Sequence, residues 1–112
     1  MTSEIVKLEG TAGTIVGDRW AGDGDRGTVL LLHGGGQTRH SWSRSGERFA
    51  AAGWTTYALD ARGHGDSDWD PDGVYSMDAF VEDLIRVIEQ VGAAPVLVGA
   101  SMGGITSLVA EG

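Results

Sequence analysis

Three continuous apolar runs, spaced far enough apart for a helix between them, constrain this chain more than any other feature. They lie at residues 28–33, 55–59 and 95–98. An uninterrupted apolar run of this length, bounded by turn residues, is typical of a strand buried on both faces. Buried strands that alternate with helices favour parallel pairing, with helices covering both faces of the sheet. The predicted fold class is therefore α/β.

Two segments between these runs have the pattern of helices. Residues 42–52 precede Gly53, a residue suited to ending a helix. Residues 77–91 follow Ser76, a favourable N-cap, and stop before Gly92. The apolar residues of the second segment recur every three or four positions and predict one buried stripe: Met77, Phe80, Val81, Leu84, Val87, Ile88 and Val91.

The first twenty residues predict a β-hairpin that joins the same domain. Short apolar-rich stretches at 5–8 and 14–20 are separated by Gly10 and Gly13. A chain of 112 residues is long enough for one domain and no more. We therefore expect residues 1–112 to fold as part of a single unit.

Composition excludes several classes of function. The formal net charge is −8 and the eight basic residues are scattered, which argues against nucleic-acid and anionic-membrane partners. The sequence has no cysteine, so disulfides, thiolate catalysis and cysteine-ligated metals are excluded. The N-terminus lacks the apolar core of a signal peptide, and no apolar run reaches the length of a membrane span. We expect a cytoplasmic protein.

The third apolar run leads into Gly99-Ala100-Ser101-Met102-Gly103, which has the G-x-S-x-G pattern of a nucleophile elbow. An elbow holds its serine at the tip of a tight strand-to-helix turn. The positions two before and two after the serine must be small, because strand and helix pass close together there. The Met102 N–H would lie at a helix N-terminus and stabilise negative charge. The alternative is an incidental serine in a glycine-rich turn.

The first apolar run leads into His33-Gly34-Gly35-Gly36. A loop of this kind can present backbone N–H groups towards the tip of a neighbouring strand, and Gly35 is the first candidate donor, ahead of Gly36. The alternative is a flexible turn. We expect His33 to pack and orient the loop, although a role as catalytic base stays open. The later glycine of a dinucleotide-binding fingerprint is missing, so a nucleotide cofactor is not expected.

The second apolar run leads into the loop Asp60-Ala-Arg-Gly-His-Gly-Asp-Ser-Asp68. Its carboxylates, Arg62 and His64 could be read as a catalytic or metal-binding cluster, but their spacing matches none of the common metal signatures. A turn held by hydrogen bonds between aspartate and arginine is the favoured interpretation. We therefore expect a structural role for five residues of this loop: Asp60, Arg62, Gly63, His64 and Gly65.

In chain order, the segments LLLHGGG, Trp42, LDARGHGDSD and LVGASMGG resemble the N-terminal part of an α/β-hydrolase. The resemblance covers residues 28–105. More specifically, these segments resemble the bacterial subgroup that includes non-haem haloperoxidase-like esterases, carbon–carbon bond hydrolases and epoxide-hydrolase-like proteins. It implies a mostly parallel sheet with helices on both faces, incomplete here, with about five strands and three helices. Residues 1–20 would supply its antiparallel strands.

The resemblance also implies roles for individual residues. Ser101 would attack the carbonyl of an ester or similar small acyl substrate. The N–H groups of Met102 and Gly35 would stabilise the oxyanion, and residues 60–67 would form a structural turn. Members that act on epoxides or haloalkanes carry Asp at the elbow, so Ser101 disfavours those chemistries. No cofactor and no metal are implied.

In this family the catalytic acid and His follow the nucleophile later in the chain. A complete enzyme of this type has about 200–250 residues or more. We therefore expect residues 1–112 to be the N-terminal portion of a single α/β-hydrolase domain, without those partners and inactive on its own. Residues 95–100 would then form an unpaired apolar edge, which predicts oligomers or aggregates.

Two further interpretations stay open from the sequence. The chain could be a catalytically inactive short product that acts as a binding or interaction module, or a fragment without function. Alternatively, a second polypeptide could supply the missing strands, acid and His by pairing with a sheet edge. A phosphonate probe separates these classes, because an elbow without its base should react slowly.

Overall fold

The computed structural model describes residues 2–22, 26–92 and 94–100. Within these residues five strands form one sheet, and two α-helices pack against it. In chain order the elements are β1 (Glu4–Glu9), β2 (Thr14–Trp20), β3 (Gly27–Leu32), a 3₁₀ turn (Arg39–Trp42), α1 (Ser43–Ala51), β4 (Trp54–Leu59), α2 (Met77–Val91) and β5 (Val96–Gly99).

The spatial order of the strands is β1-β2-β4-β3-β5. The three apolar runs form the parallel part, since β3 pairs with β4 on one side and with β5 on the other. The N-terminal hairpin joins antiparallel, through β1 to β2 and β2 to β4. The predicted α/β class is confirmed. In the described residues the sheet is mixed, with two parallel pairings of β3 and the two antiparallel pairings that the resemblance implies for residues 1–20.

Both faces of the sheet are covered, as the continuous apolar runs predict. Consecutive side chains of a strand point to opposite faces, so Leu30 packs on one side and Val29 and Leu31 on the other. The α2 face contains the buried cluster Ile15, Leu30, Leu59, Leu84 and Val87. The α1 face contains the buried cluster Trp20, Val29, Leu31, Ala50 and Ala58.

Helix α2 has the bounds that the sequence predicts. The Ser76 side chain accepts a hydrogen bond from the Ala79 N–H at 3.2 Å, and Gly92 ends the helix with a φ of 79°. Every residue of the predicted stripe is buried or half-buried. The Ser76 side chain therefore satisfies one of the backbone N–H groups that the first turn of a helix leaves without a partner in the helix.

The other helical predictions need adjustment. The segment predicted as one helix over 42–52 is a 3₁₀ turn followed by α1, which ends at Ala51 with Ala52 as its C-cap. Gly53 follows the cap with a φ of 104°, a conformation that favours glycine. The predicted third helix would follow residue 100 and lies outside the described residues.

Candidate functional site

The carboxyl ends of β3 and β5 lie side by side at one end of the sheet. Leu32 and Gly99 are partners in the parallel register, and the Ala100 N–H donates to the Leu32 carbonyl at 3.1 Å. The chain therefore leaves both strands at neighbouring points. The predicted nucleophile Ser101 and its neighbours Met102 and Gly103 follow Ala100 in the sequence and lie outside the described residues.

Residues 33–38, here called the glycine loop, follow β3 at this end of the sheet. The Gln37 N–H donates to the Gly34 carbonyl at 3.1 Å, which closes a tight turn around Gly35 and Gly36. Gly36 has a φ of 76°, as the third position of such a turn can require. The Gln37 side chain accepts from the Gly34 N–H at 3.0 Å.

The Gly35 N–H is the group that the sequence singles out in this loop. Among the described residues it donates to no acceptor, and neither does the Gly36 N–H. No atom of the described residues lies within 4 Å of a Cβ built on either glycine, so that part of the chain leaves the tip of the turn open. The loop therefore has two backbone donors free for an incoming acceptor, next to the point where the chain leaves β5.

His33, at the start of the loop, is only 2% exposed. Its Nε2 accepts a hydrogen bond from the Ala61 N–H at 3.0 Å, which requires that nitrogen to be unprotonated. The proton then lies on Nδ1, which donates to the Gly34 carbonyl at 2.8 Å. Burial lowers the pKa of His33, although the Gly34 carbonyl opposes this, and His64 adds to the lowering. Both nitrogens of a neutral ring are thus engaged within the fold.

Asp60, the first residue after β4, is fully buried and bonds to Arg39. One carboxylate oxygen accepts from the Arg39 backbone N–H at 2.6 Å, and the other accepts from its guanidinium. The guanidinium also pairs with Asp18 at 3.1 Å and with Asp66 at 2.8 Å. We call these four residues the Arg39 cluster. Three carboxylates surround one cation, which raises the pKa of Arg39 despite its burial.

Arg62 has a different set of partners. Its Nε and Nη2 donate to the two carboxylate oxygens of Asp83 at 2.7 and 2.8 Å. Its remaining bonds go to Asp70, the Thr11 hydroxyl and the Val74 carbonyl, at 3.1, 2.7 and 3.0 Å. We call these five residues the Arg62 cluster. The structural turn predicted from Asp60 and Arg62 is thus held by bonds from each residue to other parts of the chain.

The remaining residues of this loop lie around these clusters. Gly65 has a φ of 50°, and a Cβ there would overlap the Asp60 carboxylate. Gly63 has a φ of 73°, and a Cβ there would meet the Tyr75 ring at 2.6 Å. The His64 ring lies with its centroid 5.0 Å from that of His33, and its Nδ1 is 3.0 Å from the Arg62 carbonyl.

Sequence reasoning missed three of the charged residues that hold the site: Arg39, Asp18 and Asp83. Asp83 carries a signal, because a charged residue beside the apolar stripe of α2 must find a partner when it is buried. Arg39 carries none, since 21 residues separate it from Asp60 and the two residues belong to different elements of the fold, the 3₁₀ turn and the loop after β4.

Two general properties of the described residues bear on function. They contain no group of three or more His, Asp or Glu side chains arranged to hold a metal ion. None of their helices is both long and apolar enough to pass through a lipid bilayer.

Comparison with known proteins gives a consistent assignment. A family model described as the alpha/beta hydrolase fold matches residues 27–110. Over 98 residues the chain is 39% identical to an esterase from Mycobacterium tuberculosis, a match that covers 87% of this chain and 31% of that protein. A monoacylglycerol lipase from Mycolicibacterium smegmatis is 38% identical over 97 residues, covering 80% of this chain and 34% of the lipase.

A solved structure gives the same fold. An epoxide hydrolase from Vigna radiata superimposes with a TM-score of 0.86 and 25% identity, over 96% of this chain and 35% of the other. The resemblance to an α/β-hydrolase inferred from the sequence is therefore confirmed. The chain spans about a third of the length of the relatives that it matches.

Proposed function

This chain belongs to the α/β-hydrolase-fold family, and we propose that it contributes the nucleophile and oxyanion donors of a serine hydrolase acting on an ester or similar acyl compound. One observation supports this most strongly: Leu32 and Gly99 pair in register. Because of that pairing, the G-x-S-x-G segment begins beside the end of β3, the strand from which the glycine loop continues. The names of the two mycobacterial relatives, an esterase and a lipase, favour an acyl substrate.

In the proposed reaction the Ser101 hydroxyl oxygen forms a bond to the substrate carbonyl carbon, while a general base takes the hydroxyl proton. The carbonyl oxygen becomes an oxyanion, to which the N–H groups of Gly35 and Met102 donate. The alcohol then leaves with a proton from the base. Water, activated by the same base, releases the acid and regenerates Ser101.

We place the general base and its acid partner in the two thirds of the relatives that these residues do not match. His33 is unsuited to the task, since its Nε2 accepts from Ala61 and its Nδ1 donates to Gly34. Serine at its ordinary pKa needs an adjacent base. General-base assistance is worth about 10²–10⁴ in rate, so these residues alone should turn over esters very slowly.

Epoxide hydrolysis is the chemistry named for the structural neighbour, and the sequence argues against it here. The resemblance described above gives Asp at the elbow to members that open epoxides, where this chain has Ser101. A serine ester is readily hydrolysed when the oxyanion is stabilised, as acyl transfer requires. We therefore propose acyl substrates rather than epoxides.

The proposal is tested by hydrolysis of p-nitrophenyl butyrate with the protein at the length that its cell produces. We expect turnover that Ser101→Ala abolishes. Gly35→Pro removes the proposed donor at the second position of a tight turn, where proline is favoured. Gly35→Ala keeps that donor, and its Cβ meets no atom of the described residues within 4 Å. The alanine variant should exceed the proline variant in kcat by about 10²–10³. Unchanged hydrolysis by Ser101→Ala would contradict the proposal.

A further inference from the structure

We infer that Asp60 and Ala61, the two residues that follow β4, hold both ends of the glycine loop and so position the Gly35 N–H for the oxyanion. The inference rests on the proposed function. It gives Asp60 a task beyond forming its own turn: it acts on the reaction through a loop that begins 27 residues earlier, at His33.

The first end of the loop is held through His33. The Ala61 N–H donates to Nε2 of the buried imidazole at 3.0 Å. On its other side, Nδ1 donates to the Gly34 carbonyl at 2.8 Å. The ring therefore links the backbone after β4 to the residue next to Gly35, and its orientation is fixed at both nitrogens.

The second end of the loop is held through Arg39, whose backbone N–H donates to Asp60 at 2.6 Å. The same carboxylate binds the Arg39 guanidinium and accepts from the Asp66 N–H at 3.0 Å. A buried carboxylate with several donors is fixed in place, because moving it would leave those donors unpaired. Asp60 thus holds the end of the loop by two separate bonds to one residue.

Asp60 is itself anchored to the sheet. Its N–H donates to the Val16 carbonyl at 2.9 Å, and its carbonyl accepts from the Ser67 hydroxyl at 2.6 Å. That hydroxyl in turn accepts from the Val16 N–H at 2.8 Å. The point that holds the loop is therefore tied to β2, a strand that pairs with a neighbour on each side in the sheet. An anchor of this kind is what a positioning residue needs.

Apart from the bonds made by His33 and two bonds that the Thr38 carbonyl accepts from Ser41, the hydrogen bonds of the glycine loop among the described residues join Gly34 and Gln37. These bonds shape the turn but do not attach it to the sheet. The location of the Gly35 N–H relative to β5 therefore depends on the contacts made by Asp60 and Ala61. A displacement of about 1 Å in a catalytic group can lower the rate by about 10².

The test measures the alanine-to-proline ratio, which is kcat of Gly35→Ala divided by kcat of Gly35→Pro. It is measured in three backgrounds of the natural-length protein: wild type, Asp60→Asn and Asp83→Asn. Asp60→Asn leaves Arg39 paired with Asp18 and Asp66, so the buried guanidinium is not left without a carboxylate partner. The matched control is Asp83→Asn, which removes a buried carboxylate from Arg62 without touching the glycine loop. The readout is kcat for p-nitrophenyl butyrate, with KM measured beside it.

We expect an alanine-to-proline ratio of about 10² or more in the wild-type and Asp83→Asn backgrounds. In the Asp60→Asn background this ratio should fall to within about threefold of unity, because removing a Gly35 N–H that is already displaced from the oxyanion lowers kcat little further. Asp60→Asn should lower kcat and leave KM near its wild-type value. A ratio that stays at its wild-type value with Asp60→Asn would overturn the inference alone. A ratio near unity in the wild-type background would overturn the role of Gly35, and the inference with it.

Should Asp60→Asn not fold, hydrogen exchange of the wild-type protein decides. The amides of Gly34, Gln37, Arg39 and Ala61 should then open with one shared free energy, since they belong to one held unit. Exchange of the Gly34 and Gln37 amides at unprotected rates, with those of Arg39 and Ala61 protected, would contradict the inference.

Discussion

Arg39 and Arg62 are two buried arginines with the same chemistry and different surroundings. Both are at most 4% exposed, and each is matched by more than one carboxylate. The pKa of Arg39 is raised by Asp66, Asp60 and Asp18 against the effect of burial. The pKa of Arg62 is raised chiefly by its hydrogen bonds to Asp83. Both side chains therefore stay charged inside the protein.

The difference lies in what the two clusters connect. The Arg62 cluster joins the β-hairpin turn at Thr11 to α2 at Asp83 and to the loop before α2 at Val74. The Arg39 cluster instead reaches the glycine loop, beside the end of β5. Arg62 thus connects parts of the scaffold to each other, whereas Arg39 connects the scaffold to the glycine loop of the candidate site. Similar ion clusters in one small fold thus have different consequences for function.

The largest effect on folding is expected from Arg62→Met. It leaves the buried carboxylates of Asp83 and Asp70 without their cation. Removing one partner of a buried pair lowers the free energy of unfolding by about 3–5 kcal/mol. Urea unfolding measures this change. The kcat of the remaining folded protein should change little, because among the described residues no hydrogen bond or ion pair joins the Arg62 side chain to the glycine loop.

Arg39→Met tests whether the two arginines differ in their effect on the reaction. We expect it to destabilise the fold to a similar extent, since Asp60 and Asp18 are left buried. It should also lower kcat, since Asp60 would no longer hold residue 39 by both of its bonds. Equal kcat values for folded Arg39→Met and Arg62→Met would show that the Arg39 cluster has no special link to the site.

A second pair of variants sharpens the comparison at the level of single glycines. Gly65→Ala places a Cβ against the buried Asp60 carboxylate, at a φ of 50°. Gly63→Ala places one 2.6 Å from the ring of Tyr75, which is 37% exposed and can turn away. Each carries about 1–2 kcal/mol for the left-handed backbone. Thermal melts should show the larger loss for Gly65→Ala, and the reverse order would contradict this account.

The sequence predicts most of the fold because its signals are local. The stripe of α2, its Ser76 cap and Gly92 lie within one segment, and they give the correct bounds. The three apolar runs predict the parallel strands for the same reason. The bond between Asp60 and Arg39 is different, since it joins the residue after β4 to the first residue of the 3₁₀ turn, and these come together through the pairing of β3 with β4. No local pattern in the sequence indicates that Asp60 and Arg39 form a bond.

The pH dependence of stability should separate the two regions. The pKa of His33 lies below its ordinary value of 6.5, so the unfolded chain takes up the proton first. Its contribution is complete above pH 6.5 and is lost as pH falls towards the folded pKa. For Asp83, burial opposes the shift, but Arg62 and Thr11 hold the pKa below 3.8. Its contribution is lost only as pH falls below about 4.

Urea unfolding at pH 7, 5.5 and 3.5 measures both steps. His33→Gln should reduce the loss of stability between pH 7 and 5.5, and Asp83→Asn should reduce the loss below pH 4. A first step that is the same size in His33→Gln and in the wild type would show that His33 does not cause it.

The smallest effect is expected from Asp66→Asn. The Asp66 side chain is 67% exposed, and solvent screens its pair with Arg39. Asp70→Asn is the buried counterpart in the other cluster, with a side chain 7% exposed. Thermal melts should show a clear decrease for Asp70→Asn and a change close to the experimental error for Asp66→Asn. Equal decreases in melting temperature would mean that solvent exposure does not determine how much each ion pair contributes to stability.

The central claim is that the residue after Ala100 is an activated nucleophile beside the glycine loop. Labelling with a fluorophosphonate tests this directly, in the protein at its natural length, with peptide mapping of the adduct by mass spectrometry. The account predicts one adduct at Ser101, formed at least about tenfold more slowly in Gly35→Pro than in Gly35→Ala. No adduct, or an adduct at another serine that survives Ser101→Ala, would contradict it.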